Sequence, residues 1–144
     1  MSDEALTGNR RERLRFIEFD FERLPNGRCR ARVQLQWGDG SRFEGEAEGF
    51  GSEAGQLRCA AEAMLQAIQR AVEGQITFEL LGVKSVRAFD AVVLIVSIGS
   101  HYEGDSHRLV GSFLADTDTA RGAAVAVLNA TNRLLGNIIR RQGR

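Results

Sequence analysis

The chain has 144 residues, enough for one domain or two very small units, and 43% of them are hydrophobic with a single proline, which excludes a disordered chain. Its 19 basic and 19 acidic residues cancel, so no general electrostatic attraction to nucleic acid or to an anionic membrane is expected. No apolar run reaches the roughly 20 residues of a membrane span, the N-terminus lacks an apolar signal core, and the two cysteines make no disulfide framework, so a cytoplasmic protein is expected.

Residues 1–12 read as a polar tail. From Arg13 the run RLRFIEFDFER is strand-like and ends at the turn signal Pro25-Asn26-Gly27. The next run, RCRARVQLQW, alternates: Cys29, Ala31, Val33, Leu35 and Trp37 face one way, and arginines and glutamines the other. SRFEGEAEG alternates too. A two-residue Asp39-Gly40 turn would set polar residues opposite apolar ones. A three-residue Gly38-Asp39-Gly40 loop keeps the faces matched, with Arg32 opposite Glu46 and Arg30 opposite Glu48. The segment from Gly55 to Val72 is helical, with Leu57, Ala61, Met64, Leu65, Ile68 and Val72 in one stripe.

The order then repeats. ITFELLGVKSV, DAVVLIVSI and HRLVGSFLA read as three more strands, and TARGAAVAVLNATNRLLGNIIRR as a long helix capped by Asp116 or Asp118. At an offset of 63, seven of the thirteen helix positions 58–70 match positions 121–133, Arg58 with Arg121 and Ala63 with Ala126 among them. The expected fold is therefore α+β: tandem βββα units with antiparallel sheets, at residues 13–74 and 75–140, related by an internal pseudo-two-fold duplication, with a basic tail at 141–144. The strand AVVLIV has no polar face, so Val92, Leu94 and Val96 on one side and Val93 and Ile95 on the other are both expected to be buried; the cover beyond its own helix would come from the first unit, a dimer partner or both, and a homodimer is expected.

Residues with chemical potential are few. Gly49, Gly51 and Gly55 form a glycine-rich helix entry, able to receive a small anion or to serve as a plain loop, but with the wrong spacing for a dinucleotide site. His101, Glu103, Asp105 and His107 could in principle hold a metal, although a solvated hairpin loop explains them, and no metal site or cofactor is expected. No catalytic constellation is recognisable, so no enzymatic activity is expected. The competing enzyme reading is a small hydrolase or isomerase built on residues 101–107.

Two tandem three-strand-plus-helix units resemble the C-terminal regulatory domain of the alpha-isopropylmalate synthase and citramalate synthase family. Asp90-Ala91 stands before the apolar strand, Gly111 in the following strand and Asp118 at the helix start, and Ala130-Thr131-Asn132-Arg133-Leu134-Leu135 stands where the family reads A-L-N-R-L-L. The resemblance covers roughly residues 13–140. The first helix entry departs from it, being longer, without the family's proline, and with Glu62 where Asp is expected. The chain is also too short for the family's catalytic barrel. The resemblance implies an allosteric, dimeric module that senses a branched-chain amino acid or 2-oxo acid and acts on a separate biosynthetic enzyme of leucine-type biosynthesis. The ligand is then expected between the two helix entries, near Phe50, Gly51, Gly55, Gly111, Phe113 and Asp118, and Gly111→Val is expected to abolish binding while leaving the fold cooperative. The alternative is a structural or assembly homodimer that keeps the fold without a ligand.

Overall fold

The computed structural model describes residues 14–142, with the side chains of Arg133 and of residues 136–142 left aside. Of the expected tails, residues 1–12 and 143–144 lie outside the described residues, whereas residues 141–142, expected in the basic tail, continue the last helix. Six strands and two α-helices follow in the order β1 (Arg15–Leu24), β2 (Arg28–Gln36), β3 (Arg42–Phe50), α1 (Glu53–Val72), β4 (Thr77–Ala88), β5 (Ala91–Tyr102), β6 (Asp105–Ala115) and α2 (Thr119–Gln142). They make two three-stranded antiparallel sheets, β1-β2-β3 and β4-β5-β6.

The hairpins follow their turn chemistry. Between β2 and β3, Gly40 adopts φ 95°, Trp37 pairs with Ser41, and Arg32 sits opposite Glu46 and Arg30 opposite Glu48, the register that the alternation requires. In the second unit the turns are two residues long, Phe89-Asp90 and Glu103-Gly104, all at positive φ as a twist-matched hairpin demands. Phe89 holds this conformation with its side chain fully exposed.

Helix α1 starts where Ser52 Oγ accepts from Gly55 N and ends where Glu73 and Gly74 turn left-handed. It buries Leu57, Met64 and Ile68 on one side and Ala60, Ala63 and Ala67 on another, because it packs on β2 and β3, on α2, and on β4 of the other sheet. Helix α2 packs on β5 and β6, and Arg121 in its first turn stacks over Phe16 on β1 at 4.9 Å. Each helix thus touches both sheets. Each lies close to its own sheet at one glycine: a Cβ on Gly45 would fall on the Ala63 carbonyl oxygen and 2.6 Å from Ala67 N, and one on Gly111 would fall on the Ala126 carbonyl oxygen and 2.7 Å from Ala130 N. The two alanine pairs stand 63 residues apart.

The second sheet differs from expectation on one face. Leu94, Val96 and Ile98 are fully buried against the helices, but Val93 and Ile95 on the opposite face are only half-buried, since nothing in the described chain lies over them. The corresponding face of the first sheet is covered by its own charges. There Arg30 contacts Glu22 at 3.0 Å and Glu48 at 3.1 Å, and its hydrogen bond to Glu48 holds the guanidinium above its ordinary pKa.

Helix side chains occupy sheet edges. Gln66 Oε1 accepts from Glu46 N at 2.8 Å and Arg70 donates to Glu44 O at 2.7 Å along β3. Arg58 donates to Leu80 O and Gln69 bonds Phe78 N and Ile76 O along β4. Asn129, 63 residues beyond Gln66, donates to Ser112 O at 3.1 Å along β6. An edge whose groups are already satisfied is a poor template for another strand.

Cys29 and Cys59 are buried free thiols; Cys59 donates to Ala47 O at 3.0 Å, and burial, with Cys29 adding to it, pushes its pKa up to about 12. We expect neither thiol to react with an aromatic disulfide reagent at mild pH until denaturant is added; prompt labelling of the native protein would contradict this packing. Because the neutral thiol is the favoured folded form, its stabilisation is complete below the unfolded pKa near 9 and is lost as pH rises toward 12.

Candidate functional site

Phe50, Gly51 and Gly55 gather at the start of α1, and the chain itself uses the space around them. Gly51 N donates to Gly27 O at 2.7 Å, Gln56 Nε2 donates to Gly51 O at 2.7 Å, and a Cβ on Gly55 would fall on the Phe50 carbonyl oxygen. These glycines let the β1–β2 turn, the end of β3 and the first turn of α1 pack together. Phe50 is 72% exposed, with the Arg28 guanidinium 5.5 Å from its ring centre.

Asp118 caps the other helix, accepting from Arg121 N at 3.0 Å. Phe113 is half-buried beside Gly122 in the first turn of α2. Gly111 lies under the middle of α2 instead, against Ala126 and Ala130. The two helix entries stand at opposite ends of the helix pair. Arg70 in the last turn of α1 bonds Glu44, whose partner Gln34 adjoins Leu35; Leu35 pairs with Phe16, and Phe16 carries Arg121 from the first turn of α2. Antiparallel helices cannot bring both N-termini to one ligand, so the six residues expected around it fall into separate groups within one chain.

A different place collects chemistry. A cleft of about 390 Å³ opens along α1, between the adjoining edges of β3 and β4 where the two units meet. Its apolar lining is Ala47, Leu65, Phe78 and Leu80. Its polar lining is Arg58, Glu62 and Glu79, with Gln66 and Gln69 beside them. Residues 58, 62, 66 and 69 are three or four apart, so they share one face of α1. Arg58 is engaged twice, by Glu62 at 3.4 Å and by Leu80 O at 3.4 Å. That leaves an excess of one carboxylate, and Glu79 has no ion-pair partner among the described residues.

The chain matches no protein-family model and no curated protein. The geometry must therefore carry the functional reading.

Among the described residues no group of three or more His, Cys, Asp and Glu side chains is placed to hold an ion. His101 Nδ1 stands 2.9 Å from Ser106 Oγ on an exposed hairpin, a contact that follows from their direct cross-strand pairing. The helix spacing of Arg58, Glu62, Gln66 and Gln69 was visible in the sequence as a polar stripe. Its meeting with Phe78 and Glu79 was not, because it depends on β4 returning across α1.

Proposed function

We propose that the chain is a stand-alone, homodimeric regulatory module of duplicated βββα fold, similar in plan to the regulatory domain of the isopropylmalate and citramalate synthases, that binds a small aliphatic ammonium compound in the cleft between its units. The carrying observation is the cleft's lining: an apolar floor of Leu65, Phe78 and Leu80 beside a half-engaged Glu62, with Glu79, which has no ion-pair partner among the described residues, at the cleft's margin on the edge strand β4. An aliphatic side chain suits the floor, and an ammonium group suits the carboxylates. A free amino acid fits this pattern. A 2-oxo acid, which lacks the ammonium and carries a second negative charge to the site, fits it less well. Binding here would press on both units at once, since α1 belongs to the first and β4 to the second. That is a route for a ligand to alter how the module meets a separate biosynthetic enzyme. The free buried thiols agree with a reducing compartment such as the cytoplasm.

The assembly reading, in which the fold is kept without a ligand, draws support from the helix entries, where the glycines are used up by internal packing. Thermal shift separates the two readings. Leucine, leucinamide and 4-methyl-2-oxopentanoate present a zwitterion, a cation and an anion on one aliphatic frame. We expect leucine or leucinamide, at a hundred times its dissociation constant, to stabilise by about 2.7 kcal/mol, and the oxo acid to stabilise least. Glu79→Gln should weaken that effect, with Phe50→Ala leaving it intact. No shift with any of the three, or a shift unchanged by Glu79→Gln, would leave the assembly reading in place.

A further inference from the structure

We propose that the outer face of the second sheet is the surface on which two copies of this chain dimerise, stacked face to face about a two-fold axis that runs along β5. This rests on the homodimeric reading and shares Glu79 with the proposed cleft; Val110 and Leu114 lie away from that cleft, so changes there separate a failure of this surface from a failure of the ligand reading. Leu81, Val86, Val110 and Leu114 are 44, 39, 65 and 61% exposed, and all four lie on this face around the half-buried Val93 and Ile95. The first sheet carries arginines and glutamates in the equivalent place, so the two outer faces of one fold have opposite characters.

The manner of approach follows from the edges and the rows. The start of β4 and the middle of β6 are satisfied by Arg58, Gln69 and Asn129, which disfavours joining copies edge to edge through this sheet. Face stacking remains. Cross-strand pairing sets out the face in rows: Glu79, Gly99, Arg108; then Gly82, Ser97, Val110; then Lys84, Ile95, Ser112; then Val86, Val93, Leu114. A two-fold axis along β5 lays β4 of one copy over β6 of the other and keeps every row in step. Glu79 then faces Arg108 of the second copy, Val110 fills the space over Gly82, and Leu114 meets Val86. Opposite charges meet in the Glu79–Arg108 row and large meets small at Val110 and Gly82, while Lys84 lies over Ser112 of the second copy. A two-fold axis across the strands would instead lay β4 over β4 and β6 over β6, so that Glu79 could not face Arg108 of the second copy. With the first axis the Glu79–Arg108 row closes one end of the face and the Val86–Val93–Leu114 row lies toward the other, with Val110 and Ile95 between them. Three strands about 4.8 Å apart and eleven residues long present roughly 14 Å by 35 Å, so the pair covers about 1,000 Å², the lower bound for a specific dimer. The association is therefore concentration-dependent.

Sedimentation velocity over a micromolar dilution series tests this, with circular dichroism melts confirming that each variant folds. The wild type is expected to dimerise. Leu114→Lys and Val110→Lys, both at exposed positions, are expected to raise the dimer dissociation constant by more than about tenfold. Glu79→Arg and Arg108→Glu should each weaken the dimer by roughly threefold to tenfold, and the double variant should recover most of the loss. A wild type that stays monomeric overturns both the homodimer and this surface. A dimer indifferent to both lysine variants overturns the surface and leaves the homodimer standing. A double variant no better than its singles overturns the axis.

Discussion

Gly111→Val is expected to destabilise the protein by about 3 kcal/mol or more, a large part of the roughly 5–15 kcal/mol of a typical domain. The reason is backbone, not side chain. The added Cβ would fall on the Ala126 carbonyl oxygen and lie 2.6 Å from Ala130 Cβ and 2.7 Å from Ala130 N. A helix backbone cannot rotate out of the way as a side chain can, so α2 must lift from β6. Lifting it opens gaps around the fully buried Val96 and Val127 and loses burial at about 25 cal/mol per Å². Gly45→Val should cost as much, because the same contact recurs beneath Ala63 and Ala67. Gly49→Ala serves as the control, since its Cβ would meet nothing closer than 3.8 Å. Urea unfolding measures all three. A Gly111→Ala variant within about 0.5 kcal/mol of wild type would refute this packing. The sequence-based expectation that Gly111→Val would leave the fold intact and only block a ligand is revised here, since Gly111 faces a helix rather than a helix entry.

Leu94→Asp should be the most damaging single change in the second sheet. Leu94 is fully buried, and its Cδ2 is among the nearest atoms to where a Cβ on Gly122 would stand. Truncation alone, as in Leu94→Ala, costs about 2–5 kcal/mol. The aspartate adds the burial of a carboxylate with no partner, which takes the total past about 4–5 kcal/mol and close to the stability of the whole domain. The extra loss depends on pH in a definite direction. Burial raises the folded-state pKa of the introduced carboxyl group above its unfolded value of about 3.9. The folded form holds the proton more tightly, so the penalty is smallest below about pH 4 and grows as pH rises through the raised value. Leu94→Ala should show no such dependence. Leu114→Asp, on the open face of the same sheet, should barely alter folding. Equal stability of Leu94→Asp and Leu94→Ala at neutral pH would place Leu94 outside the core.

The segment VLNATNRLL shows how far a sequence can be read. Thr131 stands four residues from both Val127 and Leu135, so helical spacing puts it on their face, and it is fully buried there with its hydroxyl donated to the carbonyls of Val127 and Leu128. The hydroxyl costs little because the helix itself supplies its partner. Asn129 is different. Its Nδ2 donates to Ser112 O on the edge of β6, a contact seventeen residues away that no local pattern encodes. The β2–β3 register was legible for a related reason: a slip of one residue would have turned Val33 and Leu35 to water, so alternation and turn length left one solution.

Element order, the β2–β3 register and the buried stripe of α1 were thus determined by the sequence itself, since each depends on a short-range period and on turn residues such as Gly40 and Asn26; the bulges in β1 and β4 were not. The direction of α2 relative to α1 was not, and that one fact decides most of the functional geometry. Antiparallel helices separate Gly51 and Gly55 from Asp118, and they carry β4 across α1 to close a cleft around Arg58, Glu62 and Glu79. The run AVVLIV likewise announced a strand without a polar face. Only the tertiary structure decided that Leu94 and Val96 meet the helices while Val93, Ile95, Val110 and Leu114 meet solvent. Local periodicity specifies which side chains share a face; which face finds a partner depends on contacts between residues far apart in the chain.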